Sequence, residues 1–135
     1  MRAIVQRVSS AEVKVEGQIT GRIGRGLVVL LGVARGDIAQ DAEFIADRVI
    51  GLRVFADPAG KMNLALSAVN GELLMISQFT LHADTSQRRP SFIEAAPPEA
   101  ARPLYEHFLS LVRIYQGPPE GTEQGPQARS KITLV

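Results

Sequence analysis

The stretch Gly26-Leu27-Val28-Val29-Leu30-Leu31-Gly32-Val33 carries no polar side chain at any position. A run this short and this apolar reads as a strand buried on both faces. A second run, Gly71-Glu72-Leu73-Leu74-Met75-Ile76-Ser77-Gln78-Phe79-Thr80-Leu81, reads as another strongly buried strand. Between them Ala42, Ile45, Ala46, Val49 and Ile50 recur at helical spacing, with Asp41, Glu43, Asp47 and Arg48 on the opposite face. Asp37 is the expected N-cap of this helix and Gly51 its stop. Leu52 to Phe55 reads as a short strand ended by the turn Asp57-Pro58-Ala59-Gly60.

Upstream, Ala3 to Val8 is short and β-branched, and Ala11, Val13 and Val15 alternate with Glu12, Lys14 and Glu16. That alternation is the period of a half-buried strand. Gly17-Gln18 is the expected hairpin turn, returning the chain as Ile19 to Ile23. Downstream, a polar loop covers His82 to Pro90, and Leu104, Phe108, Leu111 and Val112 mark the apolar stripe of a second helix. Pro98 suits its first turn, whereas Pro103 is uncomfortable inside a helix and delays the expected regular part to that point. Gln116 to Gln127 has no apolar periodicity, and Ile132 to Val135 reads as a last strand. No repeat or linker divides the chain. The order predicts one α+β domain over residues 1–135, a mostly antiparallel, barrel-like sheet with two main helices packed on it.

Composition narrows the function. The chain has 135 residues, 45% hydrophobic and 21% charged, which is ordinary globular usage. It has no cysteine, so a thiolate zinc site, a disulfide scaffold and a cysteine nucleophile are excluded. Two histidines, His82 and His107, cannot build a histidine-rich metal site. No apolar run approaches the roughly 18 residues of a membrane helix, and the charged N-terminus is no signal peptide, so a cytoplasmic protein is expected. Fifteen basic residues against fourteen acidic ones predict no general nucleic-acid binder and leave room for a local basic patch.

Four constellations are weighed for chemistry. Gly21-Arg22-Ile23-Gly24-Arg25-Gly26 has the look of a phosphate loop but precedes a strand, so it reads as a structural turn. Ser77-Gln78-Phe79-Thr80 clusters polar and stacking groups at a strand end, where they either serve a site or satisfy local backbone groups. Thr80 with His82, oriented by Asp84, is a weak candidate for nucleophilic catalysis, because spacing does not establish a triad. Arg88-Arg89-Pro90 is the one adjacent arginine pair and is suited either to phosphates or to plain solvent exposure.

Several segments in order resemble the D-aminoacyl-tRNA deacylases. They are Met1 to Val8, Gly26 to Val33, Leu52-Arg53-Val54-Phe55, Gly60-Lys61-Met62-Asn63, Arg89-Pro90-Ser91-Phe92 and, most specifically, the signature Ser77-Gln78-Phe79-Thr80-Leu81. The resemblance implies a cytoplasmic homodimer that hydrolyses the ester of a D-amino acid, or of glycine mischarged on alanine tRNA. It implies aminoacyl-tRNA and a second copy as partners, no membrane, no DNA, no cofactor and no metal. Catalysis would fall to backbone N–H groups around Phe79 and Thr80, helped by the neighbouring ribose hydroxyl of the tRNA. Ser77, Gln78 and Arg7 would bind substrate, and Phe79 would pack against the adenosine or a neighbouring strand.

The resemblance also implies a second signature, Asn-x-Gly-Pro-Val-Thr, after a strand near the C-terminus. Its Gly-cisPro would enter the partner's pocket and exclude L side chains. Ala128 to Val135 resembles that preceding strand, but the signature is absent, and Gly117-Pro118 and Gly125-Pro126 lack the matching context. The expectation is poor discrimination of D from L, unless one of those pairs supplies the gate. The alternative to a hydrolase is a catalytically weak dimeric RNA-binding or structural module of the same fold.

Overall fold

The computed structural model describes residues 1–115 and 131–132. Eight strands and two helices follow in the order β1 (Arg2–Val8), β2 (Ala11–Val15), β3 (Gln18–Ile23), β4 (Gly26–Gly32), α1 (Ala39–Gly51), β5 (Phe55–Ala56), β6 (Met62–Leu64), β7 (Glu72–Ser77), α2 (Pro98–Tyr115) and β8 (Lys131–Ile132). Two 3-10 turns, Leu66–Val69 and Phe79–His82, flank β7. The described residues are α+β as expected, with two helices among them.

The strands do not close into a barrel, and although three of the five described pairings are antiparallel, the main sheet is mixed. It is four-stranded in the order β1-β4-β7-β8, and β2-β3 and β5-β6 form separate two-stranded pieces. β1 pairs antiparallel with β4, whereas β4-β7 and β7-β8 are parallel. The cause is topological. α1 lies between β4 and β7 in sequence, so the chain crosses over and re-enters the sheet in its original direction. β4 is apolar throughout and β7 is apolar from Leu73 to Ile76, a composition common in parallel strands.

One face of the sheet packs on the helices. Leu27, Val29 and Leu31 of β4 and Leu73 and Met75 of β7 form one buried cluster with Ala42, Ala46 and Val49 of α1 and Tyr105, Phe108, Leu109 and Val112 of α2. The opposite face carries Ile4, Leu30 and Ile76 in one cross-strand row, by the pairings Ile4↔Leu30 and Leu30↔Ile76. Leu30 and Ile76 are half-buried and Ile4 is 52% exposed. The β2-β3 hairpin covers part of this face, through Ile23.

Local details correct several expectations. The first hairpin turns at Glu16-Gly17, both at positive φ (51° and 78°), as a type I′ turn demands, with Val15 and Gln18 the closing pair. α1 is capped at Ile38, whose N–H donates to Oδ2 of Asp41 at 2.8 Å. Asp37 is engaged elsewhere: its Oδ2 accepts the Ala34 N–H at 2.7 Å and pairs with the Met1 amine at 2.7 Å. The strand expected from Leu52 begins only at Phe55 and pairs with β6, which the sequence reading passed over. The Asp57–Gly60 turn forms, with Asp57 Oδ1 accepting the N–H groups of Ala59 and Lys61, both at 2.9 Å.

β7 ends at Ser77, and the chain then coils into the 3-10 turn instead of continuing extended to Leu81. α2 begins at Pro98 and carries Pro103 inside it. The proline removes one backbone hydrogen bond, yet burial of Tyr105, Phe108, Leu109 and Val112 against α1 and the sheet holds the helix through it. The expected Gly117-Pro118 and Gly125-Pro126 features lie outside the described residues. Among the described residues no helix is long and apolar enough to cross a membrane.

Candidate active site at the end of strand β7

β7 delivers Ser77 beside Leu31, and the next residue keeps the sheet ladder for one more bond: the Gln78 N–H donates to the Leu31 carbonyl at 2.8 Å. The chain then turns. Gln78 O accepts the Leu81 N–H at 3.3 Å, closing the 3-10 turn over Phe79, Thr80, Leu81 and His82. The first N–H groups of any helical turn have no partner inside it. Here those of Phe79 and Thr80 donate to no acceptor among the described residues. Two adjacent backbone donors are therefore left at the C-terminal end of a central strand.

The side chains divide by role. Gln78 Nε2 donates to Oγ1 of Thr80, which orients both groups. Ser77 is half-buried. Phe79 is 60% exposed, and its ring meets that of Phe92 edge to face, with centroids 5.5 Å apart. This contact ties the 3-10 turn to the following loop. In that loop Asp84 and Ser91 exchange two backbone hydrogen bonds, of 2.8 and 2.9 Å. Asp84 Oδ1 also accepts the Ser86 N–H at 2.9 Å, and bonding to Ser86 holds the Asp84 carboxyl below the usual aspartate range.

His82 does not serve Thr80. It is buried, and its Nε2 lies 3.1 Å from the Gly32 carbonyl, which can only accept, so Nε2 carries the proton and donates. Asp84 is turned to Ser86, so the Thr80-His82-Asp84 relay is not assembled. His82 anchors the turn to β4. His107 stands apart on α2, with Nε2 3.5 Å from Oε1 of Glu43.

Arg7 is also separate from this cluster. It pairs with Leu27, four positions before the Leu31 level of Ser77, on the order of 13 Å along the strand. Its guanidinium donates to the Val54 carbonyl. Ser77, Gln78, Phe79 and Thr80 are thus gathered, and Arg7 is not brought to them within one chain. Gly21 to Gly26 forms the end of β3 and its link to β4, as the structural reading expects; Gly24 N–H donates to Oε1 of Glu72 at 3.3 Å.

Sequence reading passed over the groups that shape this end of the sheet. Arg2 donates to the Leu81 carbonyl at 2.9 Å, and Arg35 Nε donates to the Ile93 carbonyl. Isolated arginines give no periodic signal, and these act across separations of 79 and 58 residues. Tyr105 is the other unannounced group. Its hydroxyl is buried without a partner among the described residues, and burial pushes its pKa up to about 12.

Comparison with known proteins places this framework. The profile of the family described as D-Tyr-tRNA(Tyr) deacylase matches residues 4–134. The chain belongs to that family. It is 59% identical over 114 residues to a D-aminoacyl-tRNA deacylase of Anaeromyxobacter dehalogenans (strain 2CP-C), covering 84% of this chain and 76% of that protein. It is 48% identical over 136 aligned positions to a D-aminoacyl-tRNA deacylase of Thermosipho africanus (strain TCF52B), covering 100% of this chain and 90% of that protein. Among solved structures it resembles the c-Myc DNA Unwinding Element Binding Protein, with TM-score 0.84 and 34% identity, over 99% of this chain and 83% of that one. A probable eukaryotic D-amino acid tRNA deacylase shares the fold, with TM-score 0.69 at 16% identity.

Gly32 gives a test of how this deacylase-family turn is seated. A Cβ there would meet the Gln78 carbonyl at 2.9 Å, Leu81 Cβ at 3.0 Å and His82 Cδ2 at 3.1 Å. Gly32→Ala is expected to cost about 1–3 kcal/mol, the usual scale of overpacking, read by urea unfolding. Its largest amide chemical-shift changes should fall on residues 78–82. Changes spread evenly over the sheet would contradict the seating described.

Proposed function

We propose that this chain hydrolyses the ester joining a D-amino acid to the terminal adenosine of tRNA, with glycine mischarged on alanine tRNA as a second substrate. The observation that carries the reading is the pair of backbone N–H groups at Phe79 and Thr80, without acceptors among the described residues, at the end of a buried strand. Water attacks the ester carbonyl carbon, and negative charge develops on the carbonyl oxygen. The two N–H groups receive that charge; one such donor is commonly worth about 10² to 10³ in rate. The carbon–oxygen bond to the ribose then breaks, and the released ribose oxygen takes a proton. The products are the free amino acid and the tRNA.

No side-chain base is required of the protein. The neighbouring ribose hydroxyl lies on the substrate itself, can assist the attacking water, and marks the substrate as RNA. Gln78 and Ser77 line the approach to the amino group, and Phe79 offers an exposed ring to the adenosine. Arg7 acts in substrate binding only through assembly, because it lies at the far end of β1. The chain works as a homodimer in this reading, supported by the apolar Ile4-Leu30-Ile76 row, which the helices leave uncovered, and by the outer edge of β1. Cytoplasmic location is part of the same reading.

Four measurements check it. Folded protein should accelerate release of D-tyrosine from D-tyrosyl-tRNA; no acceleration would favour the binding-module alternative, and the rate on L-tyrosyl-tRNA alongside reads the chiral gate. Thr80→Ala should keep deacylation within about 10³ of the parent, because the backbone donors survive; a larger loss is the scale of a removed nucleophile. Replacing the terminal 2′-hydroxyl of the tRNA by hydrogen should be the more damaging change. Sedimentation at micromolar concentration should give a dimer, and a monomer there would remove the assembly argument.

A further inference from the structure

The end of the sheet that holds the 3-10 turn is ringed by arginines. Arg2 reaches it from the start of β1 and bonds Leu81; Arg35 reaches it from the segment after β4 and bonds Ile93. Arg88 and Arg89 stand exposed in the loop between Asp84 and Ser91. Neither of this last pair has an ion pair or hydrogen bond among the described residues. No carboxylate among the described residues forms a salt bridge with them: Asp84 accepts the Ser86 N–H, and Asp37 pairs with the Met1 amine.

The loop is also built to hold its position. The reciprocal Asp84-Ser91 bonds close its base, Pro90 fixes the backbone beside Arg89, and Phe92 rests against Phe79. Arg89 lies three residues from Phe92, hence within about 11 Å of it along the chain. That distance is short enough for a nucleic-acid strand whose last base reaches Phe79 to bring a preceding phosphate to these guanidinium groups. Arginine suits phosphate because its planar fork gives two parallel hydrogen bonds.

We infer that Arg88 and Arg89 form a phosphate clamp for the single-stranded 3′ end of the RNA whose terminal nucleotide enters the site. The inference rests on the aminoacyl-tRNA reading above and adds the part of the protein that grips the strand. Arg2 and Arg35 complete the basic rim while bracing the turn and the loop. Affinity for the strand is then separate from the chemistry at Phe79 and Thr80.

The test is binding of the full chain to an uncharged RNA hairpin with an acceptor-stem helix and a single-stranded CCA 3′ end, followed by fluorescence anisotropy over a salt series. Arg88→Gln/Arg89→Gln should weaken binding about tenfold and make the slope of log Kd against log salt shallower by about 1.4, the loss of two phosphate contacts on a single strand. Arg88→Lys/Arg89→Lys should recover most of the affinity. Lys61→Gln/Arg113→Gln removes two charges elsewhere and should change neither quantity. Lys61 is at the β5-β6 turn, and Arg113 is near the far end of a helix about 27 Å long.

Unchanged affinity and slope in Arg88→Gln/Arg89→Gln would overturn the clamp, as would an equal loss on a blunt, fully paired DNA duplex. Because the hairpin carries no ester, binding decides the clamp even if D-tyrosyl-tRNA is not hydrolysed. In that event the hydrolase reading alone fails.

Discussion

Everything at the site depends on how closely β7 runs beside β4. A Cβ at Gly26 would sit 1.9 Å from the Glu72 carbonyl oxygen, so only glycine admits the partner strand there. From that point the parallel register runs without a break, Gly26↔Glu72 to Leu31↔Ser77, and ends with the Gln78 bond to Leu31. At the other end Gly32 leaves the room that the 3-10 turn occupies. Glycines at the two ends of one buried strand thus fix where β7 stops, and its stopping is what frees the N–H groups of Phe79 and Thr80.

Much of this was legible in the sequence because period and burial leave marks on composition. The alternation in Ala11 to Val15, the helical spacing of Ala42 to Ile50 and the all-apolar run from Gly26 each became the expected element. The direction of pairing was harder. Strands buried on both faces are a sign of parallel pairing, and a long crossover through α1 is visible in the order of elements, yet the expectation was a mostly antiparallel sheet. β1-β4 and the two short hairpins are antiparallel, whereas β4-β7 and β7-β8 are parallel. The strand reading of this end fails although Phe79, Thr80 and Leu81 are good strand residues by propensity; the room at Gly32 into which the turn packs is a tertiary fact.

Of the site, the Ser77-Gln78-Phe79-Thr80 cluster was found from its place at the end of an apolar run, and the structure gathers it on one turn. What the sequence could not tell was which polar groups are already spoken for. Asp37 looked like a helix cap and instead holds the Met1 amine. His82 looked like a base two residues from a threonine and instead donates to Gly32. Both are near their supposed partners in sequence, and both are claimed by groups far away along the chain. Arg7 is the reverse case: the resemblance links it to substrate, while the single chain ties it to Val54.

With no side-chain relay assembled, the chemistry that the proposed mechanism asks of the turn is modest. An ester to ribose has a good leaving group, and the substrate brings its own hydroxyl beside the reacting carbon. Rigid donors add most where charge develops, because they need no reorganisation at the moment of reaction. Rigidity is what His82, Arg2 and the Phe79-Phe92 contact supply, from β4, β1 and the following loop respectively. β8 runs parallel to β7 and in the direction of Ser77, so the last described strand also points toward the site. In the proposed mechanism a site made of backbone tolerates change in its side chains but not in the strands that aim it, which places the demand for sequence on Gly26, Gly32 and the two apolar runs rather than on a catalytic triad.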